Sequence, residues 1–179
     1  MCALSRSLRA DKFPVLCYVT DRRTLLPSES LDPLAVLSRK METLVAAGID
    51  WVQIRDKDLG AREISALARE ALRFKRAPAG SGRSAPRIVI NDRLDVALAE
   101  GAAGVHLGEN GLPAKDARSL IEKCGSAKDF LVGVSCHSTE SVKSAAKDGA
   151  GYVFFGPVFA TPSKAAYGAS PAVFVSPRN

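Results

Sequence analysis

Short apolar runs alternate with longer segments of helical spacing along this chain. The apolar runs, which are typical of buried strands, occur at 15–20, 51–56, 87–92, 104–107, 131–136 and 152–158. Apolar residues at helical spacing follow five of them, at 34–47, 61–76, 93–100, 113–124 and 138–148. Strands that alternate with helices pair in parallel through right-handed crossovers. The pattern therefore predicts an α/β fold with six strands.

The second predicted strand has two unlike faces. Side chains alternate across a strand, so Val52 and Ile54 share an apolar face. The opposite face presents an amide, a guanidinium and an ammonium group, on Gln53, Arg55 and Lys57. Buried charges are costly unless they are paired or bind a ligand. This face therefore predicts a site for a phosphate or pyrophosphate, with an edge strand and a solvated basic face as the alternative.

Polar residues recur where the predicted strands end. They are Asp21, Lys57, Asn91, Asp92, Glu109, Ser135, His137, Thr161 and Lys164. The carboxyl edge of a parallel α/β sheet or barrel is where ligands bind. The recurrence favours a barrel wall with inward polar side chains over the edge-strand alternative.

Individual residues in this set have simpler interpretations. Asn91-Asp92 could serve as a strand-to-helix cap. His106 lies within an apolar strand and is more typical of a core histidine than of a ligand. His137 is open to either interpretation. Cys136 is interpreted as a packed thiol because no base is evident beside it.

Composition narrows the classes of partner. The net charge of +6 suits acidic small ligands or nucleic acid. No basic stripe is interleaved with aromatic residues, so we expect no nucleic-acid partner. The four cysteines form no CxxC pair, which indicates reduced, mostly buried thiols and a cytoplasmic location. No stretch approaches the length needed to cross a membrane.

Six motifs together resemble the thiamine phosphate synthase family, a (β/α)₈ barrel group that also contains the thiazole tautomerases. In chain order, the matching motifs are Tyr18-Val19-Thr20-Asp21, Gln53-Ile54-Arg55-Asp56-Lys57, Ile90-Asn91-Asp92-Arg93, Gly104-Val105-His106-Leu107-Gly108, Gly133-Val134-Ser135-Cys136-His137-Ser138 and the segment from Phe155 to Lys164. Each motif is weak alone, but six in register make a specific match.

The resemblance implies a transferase of thiamine biosynthesis. Such an enzyme joins hydroxymethylpyrimidine diphosphate to a thiazole phosphate and releases pyrophosphate. By resemblance, the diphosphate is held by basic and polar side chains: Arg55, Lys57, Lys164, Gln53 and Asn91. Ser135, Thr161 and Ser163 would hydrogen-bond the pyrophosphate, and the catalytic set would be Arg55, Lys57, Ser135 and Lys164. Asp92 is implied as the ligand of a Mg²⁺ cofactor.

Two departures from the family are visible. Gly111 stands where the family commonly has its second magnesium-binding aspartate, so we expect weaker metal binding. The sequence also supplies about six βα units where a (β/α)₈ barrel has eight. We expect a flexible segment at 1–13, one partial barrel at 14–168 and an irregular, non-family tail at 169–179, left by truncation or a changed reading frame. Open barrel edges predict marginal stability or self-association.

The resemblance and the two departures from it leave three candidate functions. The synthase is favoured by the intact basic set at 53–57 and by the segment from Thr161 to Lys164. A thiazole tautomerase is favoured by the missing aspartate at 111 and by His137. An inactive phosphate-binding remnant is the non-enzymatic alternative.

Overall fold

Six parallel strands form one sheet in a computed structural model, which describes residues 15–21, 32–74, 85–125 and 129–159. The strands are β1 (Cys17–Val19), β2 (Trp51–Ile54), β3 (Arg87–Asn91), β4 (Gly104–Leu107), β5 (Leu131–Cys136) and β6 (Tyr152–Phe155). Each strand pairs with the next one along the chain. The predicted six-stranded α/β fold is therefore confirmed.

A helix connects each pair of consecutive strands. In chain order they are α1 (Pro33–Ala47), α2 (Ala61–Leu72), α3 (Leu94–Ala99), α4 (Ala114–Lys123) and α5 (Thr139–Lys147). The first helix, α1, shows how the local sequence sets where a helix begins and ends. Asp32 caps the start of α1 by accepting a hydrogen bond from the backbone N–H of Ala35 (3.0 Å). Gly48, at φ 82°, ends the helix in the left-handed conformation.

Four strands, β1, β2, β3 and β6, are shorter than their apolar patterns predict. β2 ends at Ile54 because the backbone N–H of Arg55 donates to the Thr20 hydroxyl (2.8 Å). Lys57 then lies in an exposed turn, so the prediction that it shares a strand face with Gln53 is wrong. β6 ends at Phe155: the N–H of Gly156 makes the last bond to β5, at the Cys136 carbonyl, and Pro157 has no N–H to continue the ladder.

The sheet has one face against the helices and one face turned inward. Val52 and Ile54 belong to the main core with the helices, as predicted. A second, smaller cluster of buried residues lies on the opposite face, at Trp51, Val89 and Leu131. The edge-strand alternative for β2 is therefore wrong, because β2 has strands on both sides and buried residues on both faces.

The sheet curls strongly around the smaller cluster. The rings of Trp51 and Tyr152 are 4.8 Å apart, although they lie on β2 and β6. Four strand spacings in a flat sheet would separate them by about 19 Å. Gly133 allows the approach on the β5 side, because a Cβ atom there would overlap the Tyr152 ring. The six strands therefore form the wall of an incomplete barrel.

The structure describes three of the four cysteines. Cys136 is buried, but Cys17 is only partly buried and Cys124 is exposed at the end of α4. The prediction of mostly buried thiols is therefore wrong for the cysteines that the structure describes. Within the same described ranges, no helix is long and apolar enough to cross a bilayer. The segments predicted as a flexible N-terminus and as a non-family tail, 1–13 and 169–179, lie outside the described residues.

Candidate functional site

The carboxyl ends of β1 and β2 are tied together by buried polar groups. The Thr20 hydroxyl donates to Asp56 Oδ2 (2.8 Å) and accepts from the N–H of Arg55. Both Thr20 and Asp56 are buried. These bonds fix the start of the loop that carries the half-buried Arg55.

A row of hydrogen-bonded polar side chains crosses from β2 to the loop after β4. Gln53 Nε2 donates to Asn91 Oδ1 (2.7 Å), and Asn91 Nδ2 donates to Asp92 Oδ2 (2.7 Å). The backbone N–H of Gly108 donates to Asp92 Oδ1 (2.7 Å). We call Gln53, Asn91 and Asp92 the polar row.

The Asp92 carboxylate sets the orientation of both amides in the polar row. A carboxylate only accepts hydrogen bonds, so Asn91 must turn its NH₂ group toward Asp92 and its oxygen toward Gln53. Gln53 must then turn its NH₂ group toward Asn91. This leaves Gln53 Oε1 buried without a partner among the described residues. A buried unpaired acceptor is costly, and a ligand that carries a donor would satisfy it.

Asp92 does not cap the helix that follows it. α3 begins after Arg93, and no side chain caps its first turn. The cap interpretation of Asn91-Asp92 is therefore wrong. Asp92 instead adopts the left-handed conformation at φ 58°, which is uncommon outside glycine. This turn aims its carboxylate at Gly108.

Residue 111 lies beside Asp92. A Cβ atom built at Gly111 would be 3.7 Å from Asp92 Oδ1, so a carboxylate at this position would have neighboured Asp92. Glu109 does not replace it, since Glu109 Oε1 accepts from the backbone N–H of His137 (3.2 Å). Across the part of the chain that the structure describes, no three metal-binding side chains lie together.

The donor set still fits a Mg²⁺ ion that is shared with a phosphate ligand. Each Asp92 oxygen accepts one hydrogen bond and keeps a further lone pair. Mg²⁺ commonly binds through one or two carboxylates and completes its shell with water and substrate phosphates. The site therefore suits a metal that arrives with its ligand better than a cage of protein side chains.

The inward face of the barrel also holds a buried histidine. His106 Nε2 lies 2.9 Å from Ser135 Oγ, and its Nδ1 lies 3.2 Å from the Tyr152 hydroxyl. Burial lowers the pKa of His106 to about 4, against the opposing effect of the negative charge of Asp92 and with a smaller lowering contribution from the positive charge of Arg55. Burial also raises the pKa of Tyr152 above its usual value. Both side chains are therefore uncharged near neutral pH.

A second histidine lies at the mouth of the barrel. His137 Nδ1 hydrogen-bonds the carbonyl oxygen of Gly156, and because a carbonyl only accepts, Nδ1 carries the hydrogen. His137 Nε2 is 3.9 Å from Glu109 Oε2. The exposed imidazole thus presents Nε2 toward a carboxylate and solvent.

The predicted site residues fall into three groups. Gln53, Asn91 and Asp92 form the polar row, and Ser135 joins the neighbouring inward face through His106. Arg55 is close enough to influence the pKa of His106, whereas Lys57 is exposed beyond β2. The remaining predicted residues, Thr161, Ser163 and Lys164, lie outside the described residues.

Sequence reasoning missed Tyr152. Its hydroxyl reaches a ring nitrogen of His106 because Gly133 lies between them in the sheet register. A glycine inside a strand often marks a close approach by another group. Gly133 therefore carried a signal that could have been read.

Sequence comparison finds relatives of this chain among the thiamine-phosphate synthases. A sequence profile described as thiamine monophosphate synthase matches residues 19–173. A Geobacter sulfurreducens relative with a provisional thiamine-phosphate synthase name is 46% identical over 153 residues, which are 86% of this chain and 63% of the relative. The thiamine-phosphate synthase of Halalkalibacterium halodurans is 37% identical over 141 residues, covering 78% of this chain and 61% of that protein.

A solved structure has the same fold. The thiamine phosphate pyrophosphorylase of Pyrococcus furiosus superposes with a TM-score of 0.61 and 28% identity. The match covers 81% of this chain and 61% of that one. The chain thus spans less than two thirds of the length of these relatives. Since the profile matches most of the sequence, the chain belongs to the thiamine monophosphate synthase family.

Proposed function

We propose that this chain acts in thiamine biosynthesis, as a transferase that joins hydroxymethylpyrimidine diphosphate to a thiazole phosphate. The observation that carries the proposal is the polar row, which ends in a buried acceptor on Gln53 at the ligand-binding edge of the sheet. Arg55 lies at the same edge. The row and this cation together suit a ligand with an anionic half and a hydrogen-bonding half.

The proposed chemistry depends on the leaving group. The bond between the pyrimidine methylene carbon and the diphosphate oxygen breaks, and both electrons leave with pyrophosphate. The thiazole nitrogen then donates its lone pair to the resulting cation. Such a reaction needs charge stabilisation at the departing oxygens. We assign it to Arg55, Lys57 and Lys164, with hydroxyl donors from Ser135, Thr161 and Ser163.

In this proposal Gln53 serves the organic half of the substrate, and not the diphosphate as the resemblance implied. The Gln53 atom without a partner among the described residues is Oε1, an acceptor. Phosphate oxygens are also acceptors, so Oε1 does not hydrogen-bond to them. One hydrogen of the Gln53 NH₂ group is already engaged by Asn91. Gln53 Oε1 therefore receives an N–H or O–H of the pyrimidine, and Asn91 holds the amide in place.

Asp92 would hold Mg²⁺ together with the diphosphate. When bound, the metal would neutralise charge on the phosphate oxygens. With Gly111 in place of a second carboxylate, we expect the ion to bind weakly before the substrate does. Asp92 also has a role that needs no metal, because it orients the amides of the polar row.

The test is calorimetric titration with hydroxymethylpyrimidine diphosphate, with and without Mg²⁺, next to inorganic pyrophosphate. We expect magnesium-dependent binding of both ligands. The Gln53→Met variant keeps the side-chain length but removes the acceptor, so it should weaken binding of the pyrimidine diphosphate about tenfold or more and leave pyrophosphate binding unchanged.

Two results would count against the proposal. If Gln53→Met weakened the binding of both ligands equally, Gln53 would not have the role assigned to it. Absence of binding by a chain that circular dichroism shows to be folded would favour the inactive remnant instead.

The thiazole tautomerase remains a second candidate because of His137. Its Nδ1 hydrogen is held by the Gly156 carbonyl, so Nε2 is free to accept a proton beside Glu109. Proton transfer is the step that a tautomerase needs. Isomerisation of a thiazole carboxylate phosphate, lost in His137→Asn, would support this candidate over the transferase.

We also propose how the chain is organised and where it acts. Residues 14–168 would form a single incomplete barrel, in the cytoplasm, with small-molecule substrates. The terminal strands β1 and β6 each have one sheet neighbour within the described residues. Their open edges would support self-association.

A further inference from the structure

A line of three side chains crosses the inward face of the barrel. Tyr152 on β6, His106 on β4 and Ser135 on β5 are joined by contacts of 3.2 Å and 2.9 Å to the two ring nitrogens of His106. His106 is only 2% exposed. We call these three residues the inner triad.

The inner triad depends on a gap in the sheet. Gly133 lies beside His106 in one ladder and beside Tyr152 in the other. A side chain at Gly133 would overlap the Tyr152 ring. Without a side chain there, the tyrosine lies across β5 and reaches the histidine on the strand beyond.

Two orders of hydrogen bonding are available to the inner triad. A neutral imidazole donates from one nitrogen and accepts at the other. If Nδ1 carried the hydrogen, it would donate to Tyr152, and Ser135 would donate its own hydrogen to Nε2. The Tyr152 hydrogen would then have no acceptor among the described residues, and Ser135 would have none to offer a ligand.

The reverse order pairs the hydrogens of Tyr152 and His106 and leaves only that of Ser135 unpaired. Tyr152 donates to His106 Nδ1, and His106 Nε2–H donates to Ser135 Oγ. The Ser135 hydrogen is then free to turn toward the barrel mouth. His106 is only 2% exposed, and such burial favours the neutral imidazole.

We propose that Tyr152 and His106 are positioning residues that hold the Ser135 hydroxyl as a hydrogen-bond donor for an anionic ligand. Tyr152 fixes the Nε2–H tautomer of His106, and that tautomer occupies an acceptor lone pair of Ser135. The inference rests on the proposed function for the identity of the anion, a diphosphate, but not for the order of hydrogen bonds.

The order of hydrogen bonds is measured directly by ¹⁵N NMR of histidine-labelled protein at neutral pH. The sequence has two histidines. In the His137→Asn variant, His106 is therefore the only histidine that gives signals. We expect His106 with a protonated Nε2 and an unprotonated Nδ1. In Tyr152→Phe the two nitrogen shifts should move toward each other, because nothing then donates to Nδ1. Tyr18→Phe, on the opposite face of the sheet, is the matched control and should change neither shift.

The functional consequence is measured with inorganic pyrophosphate and Mg²⁺ by calorimetry. Ser135→Ala should weaken binding about tenfold or more, because it removes a hydrogen bond to a charged group. Tyr152→Phe should weaken it about threefold in the natural sequence. In the Ser135→Ala background the same tyrosine change should have no effect, since Tyr152 acts through Ser135. A merely structural role for Tyr152 would give equal losses in both backgrounds.

The outcomes separate this inference from the proposed function. A His106 that carries its hydrogen on Nδ1 in the unmutated protein overturns the inference, whatever the ligand. Equal losses on the two backgrounds also overturn it. If the expected tautomer is found but pyrophosphate does not bind, the proposed diphosphate site fails while the hydrogen-bond order stands.

Discussion

At the scale of single residues, the site is defined by groups that lack a partner as much as by groups that have one. The Gln53 acceptor is buried and has no partner among the described residues, and Gly111 puts no side chain beside the Asp92 carboxylate. The unpaired acceptor reduces the stability of the free protein, and we expect the absence of a second carboxylate to lower its affinity for Mg²⁺. A hydrogen-bond donor would complete the first position and a carboxylate the second.

The absence of a side chain at Gly111 leads to a prediction about affinity for Mg²⁺. Gly111→Asp would add a second carboxylate close to Asp92 Oδ1, since the Cβ position is 3.7 Å from that atom. We expect Mg²⁺ to bind more tightly by roughly an order of magnitude, because affinity rises with the charge of the ligand set. The measurement is magnesium titration in the presence of inorganic pyrophosphate.

A matched variant isolates the charge in this experiment. Gly111→Asn has nearly the same shape and the same contact with the Gly108 carbonyl, 3.2 Å from the Cβ position, but no charge. It should leave magnesium affinity close to that of the unmutated chain. Equal affinities for the aspartate and asparagine variants would mean that the metal does not bind between positions 92 and 111.

At the scale of elements, Gly133 couples β5 to β6. Gly133→Ala would force the Tyr152 ring away from the sheet. Overpacking of this kind costs about 1–3 kcal/mol, so we expect a lower midpoint in urea denaturation and a His106 environment altered as in Tyr152→Phe.

A neighbouring glycine provides the control for this prediction. Gly151 directly precedes β6, and a Cβ there would meet its nearest atoms at 3.6 Å, an ordinary contact. Gly151→Ala should therefore change the free energy of unfolding by less than about 1 kcal/mol. An equally stable Gly133→Ala would show that Tyr152 is not held against β5.

The same elements show how far sequence reasoning reaches. Apolar periodicity located all six strands and the five helices, because strand and helix faces bury different repeats. It misplaced the ends of β2 and β6, because strand ends depend on which neighbour takes each N–H. The N–H of Arg55 donates to the side chain of Thr20, which directly follows β1. No local pattern around Arg55 encodes that bond.

The candidate site was foreseeable to a similar extent. The polar face of the second strand singled out Gln53, and the polar residues at strand ends singled out Asn91 and Asp92. Parallel strands bring their carboxyl ends together, which placed all three at one edge. The order of hydrogen bonds along the polar row was not foreseeable, since it depends on the Gly108 N–H and on the turn at Asp92. Tyr152 was missed because its partner lies two strands away, across a glycine.

At the scale of the whole molecule, the curl of the sheet brings β2 and β6 into contact on the inside, while the outer edges of β1 and β6 have no strand neighbour within the described residues. Several of the exposed large apolar residues in the described ranges lie next to these edges: Val15, Leu16, Val19, Phe154, Val158 and Phe159. Open strand edges with apolar side chains are sites of edge-to-edge pairing. The arrangement predicts a chain that associates with itself in solution.

A charge at one edge should weaken that association. Leu16 is 53% exposed immediately before β1, so Leu16→Lys introduces a charge that edge pairing disfavours. Leu120 on α4 is 43% exposed and lies away from both edges, so Leu120→Lys is the matched control. Sedimentation velocity over a range of concentrations should show larger species for the unmutated chain and for Leu120→Lys, and a shift toward monomer for Leu16→Lys. If all three sediment alike as monomers, the β1 edge is not an association surface; if Leu120→Lys dissociates as well, the contact runs through the helices and not through the open sheet.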